Sequence, residues 1–461
     1  MQLFINDTAS ITGSVTSLPA YTRRESPPPR LLNEHITQLS HNPTDKNSKP
    51  WITLTLMSNA RDAKSPPIYV EGDRIAGFVN MDAGENGDGI HTVKVIVRGE
   101  LTTGRNAEDG ITFLDSSQIL WCKDNGGSRQ ARLSGPHEWS FSFSLPKTVN
   151  ISASPGNTEG RLQFPLPPTV VERHTRAKAN SDTIVGKGPS FLVPVQASQA
   201  FPLRSLSTIF VYIPATRPSP SSPLRQLSYQ EQSPLFGPES DPEGWLTLPP
   251  VKIQGTLFSA RQTEVICHLS LANPLCYTRG SVIPLSLLFT SKDTQALDLF
   301  TKREAIDIRL RRHVSFRHEV IRAELNWRPS IVNLKHKPHE DSATAVWWLS
   351  SEGSRETEDG WMSRRMNGEI TLPKSLKPSC EIAHFRISYT VALIPFDTPG
   401  FQLSSHSVNV NDLAPLLERR VEIATMFPRG PRPVSFAPPH ATGSRRHKLT
   451  SVRPTSAHAR A

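Results

Sequence analysis

The densest set of ligand-type side chains in this 461-residue chain is His336-Lys337-Pro338-His339-Glu340-Asp341. A metal centre needs three or four such groups converging on one point. Pro338 opposes the regular helix that would bring them together, so the cluster reads as a polar surface loop. The four cysteines, Cys122, Cys267, Cys276 and Cys380, form no C-x-x-C pair, which argues against structural zinc. The opening residues MQLFINDTAS lack the basic start and apolar run of a secretion signal. The thiols are then expected to be free and buried, in a reducing compartment. There is no G-x-S-x-G elbow, no G-x-x-x-x-G-K-[ST] loop and no H-E-x-x-H pair. Acyl transfer, phosphate cradling by a P-loop and zinc hydrolysis therefore lack their usual carriers. The expectation is a non-catalytic chain without metal or cofactor.

Other residues look like substrates for chemistry rather than agents of it. Arg23-Arg24-Glu25-Ser26-Pro27-Pro28 fits R-x-x-S-x-P, a pattern that 14-3-3 proteins bind once the serine is phosphorylated. The added charge would meet an arginine cluster in the partner, so Ser26 is the phospho-regulatory candidate. Ser222-Pro223 and Ser233-Pro234 are further proline-directed candidates, against the plainer reading of a solvated loop. Trp347-Trp348 suits a partner anchor, since aromatic residues dominate interface hot spots. It equally suits a strand with one tryptophan in the core.

These residues must be positioned by strands. Trp51–Met57 alternates in hydropathy, Val93, Val95 and Val97 oppose Lys94 and Arg98, and Trp139, Phe141, Phe143 and Leu145 alternate with serines. Later, Val265, Cys267, Leu269 and Leu271 alternate. Ile306, Ile308 and Leu310 follow, then Phe385, Ile387, Tyr389, Val391 and Leu393. Period two with one polar face is the signature of antiparallel sheets packed face to face. Helical windows are scarce, and the best is Thr294–Thr301. One phrase occurs twice, 208 positions apart: Tyr69-Val-Glu-Gly72-Asp-Arg-Ile75 and Tyr277-Thr-Arg-Gly280-Ser-Val-Ile283. It reads as a strand ending at Tyr, a tight turn that needs Gly, and a second strand starting at Ile. A repeat at that distance points to two copies of one fold. The architecture expected is all-β, two immunoglobulin-like sandwiches in tandem.

Proline, 41 residues in all, is concentrated in stretches too poor in periodic apolar residues to offset ordering entropy, which predicts disorder. The division expected is a disordered segment 1–49, a sandwich 50–213, a Pro/Ser-rich linker 214–244, a sandwich 245–427 and a disordered tail 428–461. The tail carries +7 and the first 49 residues +1, leaving +2 of the formal +10 for the rest. A nearly neutral body does not indicate a nucleic-acid-binding domain. The basic tail, with Arg445, Arg446 and Lys448, suits an anionic membrane surface or an acidic partner, or is merely solvated. No apolar run approaches the roughly 20 residues of a membrane-spanning helix.

The segments PPIYVEGDRIAGFVNMD, IHTVKVIVRGELTTG, EWSFSFSLP and FPLPPTVVE resemble the first domain of the arrestin fold. LANPLCYTRGSVIPLSLLF, NGEITLPKSLKPSCEIAHFRISYTVAL and VEIAT resemble its second domain. The likeness spans roughly residues 50–213 and 245–427 and is to fungal arrestin-like proteins related to α-arrestins. One stretch departs from it. The family ends its first domain with an I-x-Y-x-L strand, where this chain has PSFLVPVQASQ with Pro189 and Pro194. Proline blocks ladder hydrogen bonds, so an edge or bulged strand is expected there.

The resemblance implies an adaptor that binds cytoplasmic parts of membrane proteins. Many α-arrestins also recruit a HECT-type ubiquitin ligase through PY motifs read by WW domains. Such a motif needs an extended, accessible segment, in which prolines pre-set a polyproline II helix and Tyr fills a groove. Pro66-Pro67-Ile68-Tyr69 has the letters, but Tyr69 already belongs to the repeat and is read as structural. Leu18-Pro19-Ala20-Tyr21 is the better WW-partner candidate. The tail holds no PPxY. The implied location is cytoplasmic, peripheral at the plasma membrane or endosomes, with the concave faces of the sandwiches binding cargo. Alternatives are a coat subunit like the retromer arrestin-fold component, a signalling scaffold without a ligase, or an enzyme or carbohydrate-binding sandwich.

Overall fold

Alternating apolar and polar residues make most of this chain β-strand in the computed structural model. The structure describes residues 32–40, 50–84, 90–102, 110–123, 133–152, 161–178, 181–199, 204–316, 339–356, 359–383, 385–404 and 414–439. The first half runs through β1 (Asn33–Ser40), β2 (Pro50–Ser58), β3 (Ile68–Val70), β4 (Arg74–Asp82), β5 (Ile90–Thr102) and β6 (Gly110–Cys122). It continues with β7 (Pro136–Ser144), β8 (Thr148–Ser152), β9 (Arg161–Pro165), β10 (Glu172–Lys178), β11 (Ser181–Gln199) and β12 (Arg204–Ile213). Helix α1 (Pro223–Glu231) then leads to β13 (Trp245–Thr247), β14 (Val251–Leu257), β15 (Arg261–Ala272), β16 (Cys276–Thr278) and β17 (Val282–Ser291). After helix α2 (Thr294–Phe300) come β18 (Ile308–Phe316), β19 (Glu340–Glu356), β20 (Met362–Thr371), β21 (Cys380–Ile382), β22 (Phe385–Leu393), β23 (Phe401–Leu403) and β24 (Leu417–Ala424).

The strand orders of the two halves correspond. In the first half one sheet runs β1-β2-β4-β7 and another runs β3-β12-β11-β5-β6, with β10 on β11. The second half contains β14-β15-β17-β20 and β16-β24-β22-β18-β19 in one continuous ladder. The runs join because β19 pairs with β18 at its start and with β20 beyond Thr344. Its counterpart β6 pairs with β5 along its whole length and does not cross to β7.

The repeated phrase is the hinge of this correspondence. Gly72 and Gly280 both have left-handed φ, +95 and +81, which a side chain would strain. The turn closes the same way twice: Asp73 N–H donates to the Val70 carbonyl at 2.9 Å, and Ser281 N–H to the Thr278 carbonyl at 3.0 Å. Each short strand before the turn, β3 or β16, pairs parallel with the last strand of its half, β12 or β24. Glu71 N–H reaches Ile213 O and Arg279 N–H reaches Ala424 O. Tyr69 and Tyr277 are both buried, and desolvation raises both phenol pKa values.

The predicted inward faces are inward, with Trp139 and Leu145 only partly buried. Val93, Val95, Val97, Phe141, Phe143, Val265, Cys267, Leu269, Leu271, Ile308, Leu310 and the Phe385–Leu393 set are buried, each large side chain contributing about 1.5–3 kcal/mol. Helix α2 buries Ala296, Leu297, Leu299 and Phe300 and is capped by Asp293.

Five expectations need correction. Residues 33–40, placed in a disordered segment, form β1 against β2. There His35 is buried and Ile36 exposed, the reverse of an ordinary polarity pattern. Segment 214–244 is not a disordered linker: α1 forms in it and buries Arg225, Ser228 and Tyr229. Residues 428–439 belong to the described structure and pack on the second half, so a tail beginning at Pro428 is cut too early. Strand β11 lies between β5 and β12, not at an edge. Pro194 is tolerated because the β5 ladder skips Val193 and Pro194, and Pro189 lies outside the β12 ladder, which begins at Phe191, so each missing N–H falls where a ladder is absent or interrupted. Of the cysteines, Cys267 is buried and Cys276 and Cys380 partly so, but Cys122 is exposed.

Candidate interaction site

Strand β7 pairs with β4 along its whole length, Pro136 through Ser144, and among the described residues is the last strand of its sheet. Its alternation sends Phe141 and Phe143 inward and leaves Ser140, Ser142 and Ser144 exposed. The outer face beside it carries Phe78, 40 % exposed, and at the far edge Ile36, 59 % exposed. Between β7 and Gln118 of β6 lies a groove of about 400 Å³ lined by Met57, Ala76, Gly77, Phe78, Ser140, Phe141 and Ser142. That volume is in the range that takes several side chains of an extended segment. A free strand edge offers such a segment backbone donors and acceptors, and the pockets beside it read alternate side chains. Arg74 Nε donates to Ser142 Oγ at 2.8 Å, placing a cation at one end.

The second half shows what this face does when it is filled. Register across the repeat makes Ala76–Ser142 the counterpart of Pro284–Glu369, and Phe78–Ser140 the counterpart of Ser286–Asn367. There the outer face is covered by the chain's own residues. Arg365 Nη1 donates to Ser286 Oγ at 3.1 Å and its Nη2 to Glu239 Oε1 at 2.6 Å. Phe436 N–H donates to Glu369 Oε2 at 3.1 Å.

Helix α1 is held there by a built cluster. Ser222 caps it with Pro223 at the first helical position, a favoured start. Ser222 Oγ donates to Asp241 Oδ2 at 2.6 Å. Arg225, 3 % exposed, donates from Nη1 to Asn273 O at 2.8 Å and from Nη2 to Gly244 O. Its guanidinium carbon lies 4.8 Å from the Trp245 ring centroid. Burial lowers the Arg225 pKa, against the opposing pull of Tyr229 and Asp241. The adjoining cleft, lined by Arg225, Tyr229, Pro274, Tyr277, Pro428 and Pro433, measures about 40 Å³. That is room for a water or two, so this cluster holds structure together and is not a ligand pocket.

The residues singled out in the sequence fall unevenly. Leu18, Pro19, Tyr21, Ser26, Arg445, Arg446, Lys448 and His336 lie outside the described residues. Tyr69 is 2 % exposed within β3, so Pro66–Tyr69 cannot present its tyrosine as a ligand. Ser222 is the cap of α1, and Ser233 N–H bonds to Ser228 O just past that helix. Glu340 and Asp341 open β19 and pair with Arg312 and Arg309. Among the described residues no group of three His, Cys, Asp or Glu is placed to hold a metal ion. Trp347 is in the core and Trp348 half-buried, the strand reading of that pair. The β7 groove was missed: Phe78 sits at an outward position of β4, a signal legible only once the register is known. Among the described residues no helix is long and apolar enough to cross a membrane. No protein-family profile matches the chain, and no curated protein matches it.

Proposed function

We propose that the chain is a non-catalytic, arrestin-like adaptor of two tandem immunoglobulin-like sandwiches. It binds an extended cytoplasmic segment of a membrane protein along β7 and links that cargo to endocytic trafficking or ubiquitin-ligase machinery. One observation carries this reading. The outer face of the second half is covered by a non-helical stretch of the chain itself, around Ser435 and Phe436, while the corresponding face of the first half leaves Phe78 exposed beside an open edge. A face of this kind takes an extended segment, and the uncovered copy has room for one from another protein.

In this reading Leu18-Pro19-Ala20-Tyr21 meets a WW domain of the ligase, and phosphorylated Ser26, five residues on, recruits 14-3-3 and competes with it. Arg445, Arg446 and Lys448 add attraction to an anionic leaflet, about 1 kcal/mol each near the surface. The protein then works in the cytoplasm, peripheral at the plasma membrane or endosomes.

The test uses the full chain, an array of peptides from cytoplasmic tails of membrane proteins, and a panel of WW domains. Peptide binding that Phe78→Asp weakens by about 2 kcal/mol or more, the cost of a lost aromatic anchor, is the expected result. Equal binding by Phe78→Asp and the unaltered chain would remove the groove as the cargo site. Tyr21→Ala is expected to abolish WW binding. No WW binding by either form, with co-purification in fixed stoichiometry, would replace the ligase branch with a coat-subunit role.

A further inference from the structure

Glu369 is a buried carboxylate, 3 % exposed, on the outer face of β20. A buried carboxylate must be paired or fully hydrogen-bonded. Among the described residues its partners come from one segment: Ser435 Oγ donates to Oε1, and Phe436 N–H donates to Oε2 at 3.1 Å. The nearest arginine along the strand, Arg365, is committed to Glu239. Phe436 also lies parallel to the buried Tyr229 ring of α1, 6.3 Å between centroids and 7° between planes. Earlier in the segment, Pro428 and Pro433 close the cleft over Arg225 and Tyr277. A short stretch is thus held by one carboxylate and one aromatic pair.

Ser435 itself is exposed although its hydroxyl reaches inward, and Arg432, also exposed, stands three residues before it. An arginine at that spacing is what a kinase with an acidic substrate groove accepts.

We propose that residues 428–439 form a latch on the second half and that Ser435 is a phosphorylation site that opens it. The phosphoryl donor is a nucleoside triphosphate bound to a basophilic protein kinase. The Ser435 Oγ–P bond forms and the bond from the γ-phosphorus to the β–γ bridging oxygen breaks. The hydroxyl proton goes to the kinase's base, and the nucleoside diphosphate leaves. The product has lost the Ser435 donor and carries a charge of about −1.5 to −2 against the Glu369 carboxylate. Both anions cannot stay in that seat, so the segment leaves, Phe436 withdraws from Tyr229, and the β17–β20 face opens to a partner. The latch operates whatever the first half binds.

The experiment compares the full chain before and after incubation with a purified basophilic kinase and ATP, together with Ser435→Asp, Ser435→Ala and Ser435→Asp/Glu369→Gln. Hydrogen exchange at the Phe436 amide and tryptic cleavage after Arg429 are read. Phosphorylation and Ser435→Asp are each expected to speed both by about tenfold or more, as for a segment released from local protection. Ser435→Ala keeps the Phe436 bond and should change them by about threefold at most. Glu369→Gln combined with Ser435→Asp removes the repulsion and should fall between Ser435→Asp and the unaltered chain. Exchange in β22 reports global unfolding. If Ser435→Asp unfolds, the chain phosphorylated after folding decides the question. The proposal is overturned if the phosphorylated chain exchanges and cleaves like the unmodified one. It is equally overturned if the kinase modifies a 428–439 peptide and leaves Ser435 of the intact chain untouched.

Discussion

Individual residues in the second half are tuned by burial, and that sets a pH dependence. Burial, with Glu422 adding to it, pushes the Cys276 thiol from 9.0 up to about 11. Burial pushes the Tyr229 phenol from 10.0 up to about 12, against the opposing pull of Arg225 and with a contribution from Glu369. Cys267 is raised as well, by burial. Across this window the folded chain holds protons that the unfolded chain has lost, so stability falls as pH rises. It should be level below about pH 9 and decline between about pH 9 and 12, thiols first and phenols after. Cys276→Ser should cut the decline between pH 9 and 10 by about a third, leaving Cys267 and the buried phenols of Tyr69, Tyr212, Tyr229 and Tyr277 to supply the rest. Thermal unfolding followed against pH checks this. The thiol was visible in the sequence. Its neighbour Glu422 was not, because the two meet through the parallel pairing of β16 with β24.

At the scale of elements, α1 is the instructive case. Its sequence, PLRQLSYQE, follows a proline-serine run and leaves Leu224 and Leu227 exposed, so no amphipathic stripe announces it. The Ser222-Pro223 start was a local signal for a helix. What holds it, though, is Arg225 reaching carbonyls of Gly244 and Asn273, far away in the chain. Arg225→Met should cost about 2–3 kcal/mol, because the Asn273 carbonyl is left without its guanidinium donor. Arg225→Lys should not restore it, since an ammonium lacks the planar fork that serves two acceptors and stacks on Trp245. Ser222→Ala should cost about 1 kcal/mol through the lost cap. Chemical denaturation of the three variants measures all of these. Strand β11 is similar: its prolines argued for an edge or a bulge, and the fold gives it a central place with a ladder interrupted at Val193 and Pro194 but not shifted in register there.

For the whole molecule, the second half is not a unit that begins at Trp245 and ends at Phe427. Arg365 and Glu369 point outward from β20, where Glu239 pairs with Arg365 and Ser435 and Phe436 donate hydrogen bonds to Glu369. Further bonds tie the ends together, Met426 N–H to Thr216 O at 2.9 Å and Arg217 to Phe427 O. A fragment 214–439 should therefore fold cooperatively, and a fragment 245–427 should be less stable by about 3–5 kcal/mol, the cost of buried charges stripped of partners. Denaturant titration of the two fragments tests this. The β character, the strand faces and the duplicated Y-x-x-G-x-x-I turn were legible in the residues alone. Period-two alternation and a glycine at positive φ are local requirements that each segment states alone. Which strands are edges among the described residues, that 214–244 and 428–439 are ordered, and that described residues cover one outer face and not its counterpart were set only by the tertiary fold. Those outcomes depend on partners far apart in the chain, and a polar segment shows its place only once a buried charge elsewhere needs it.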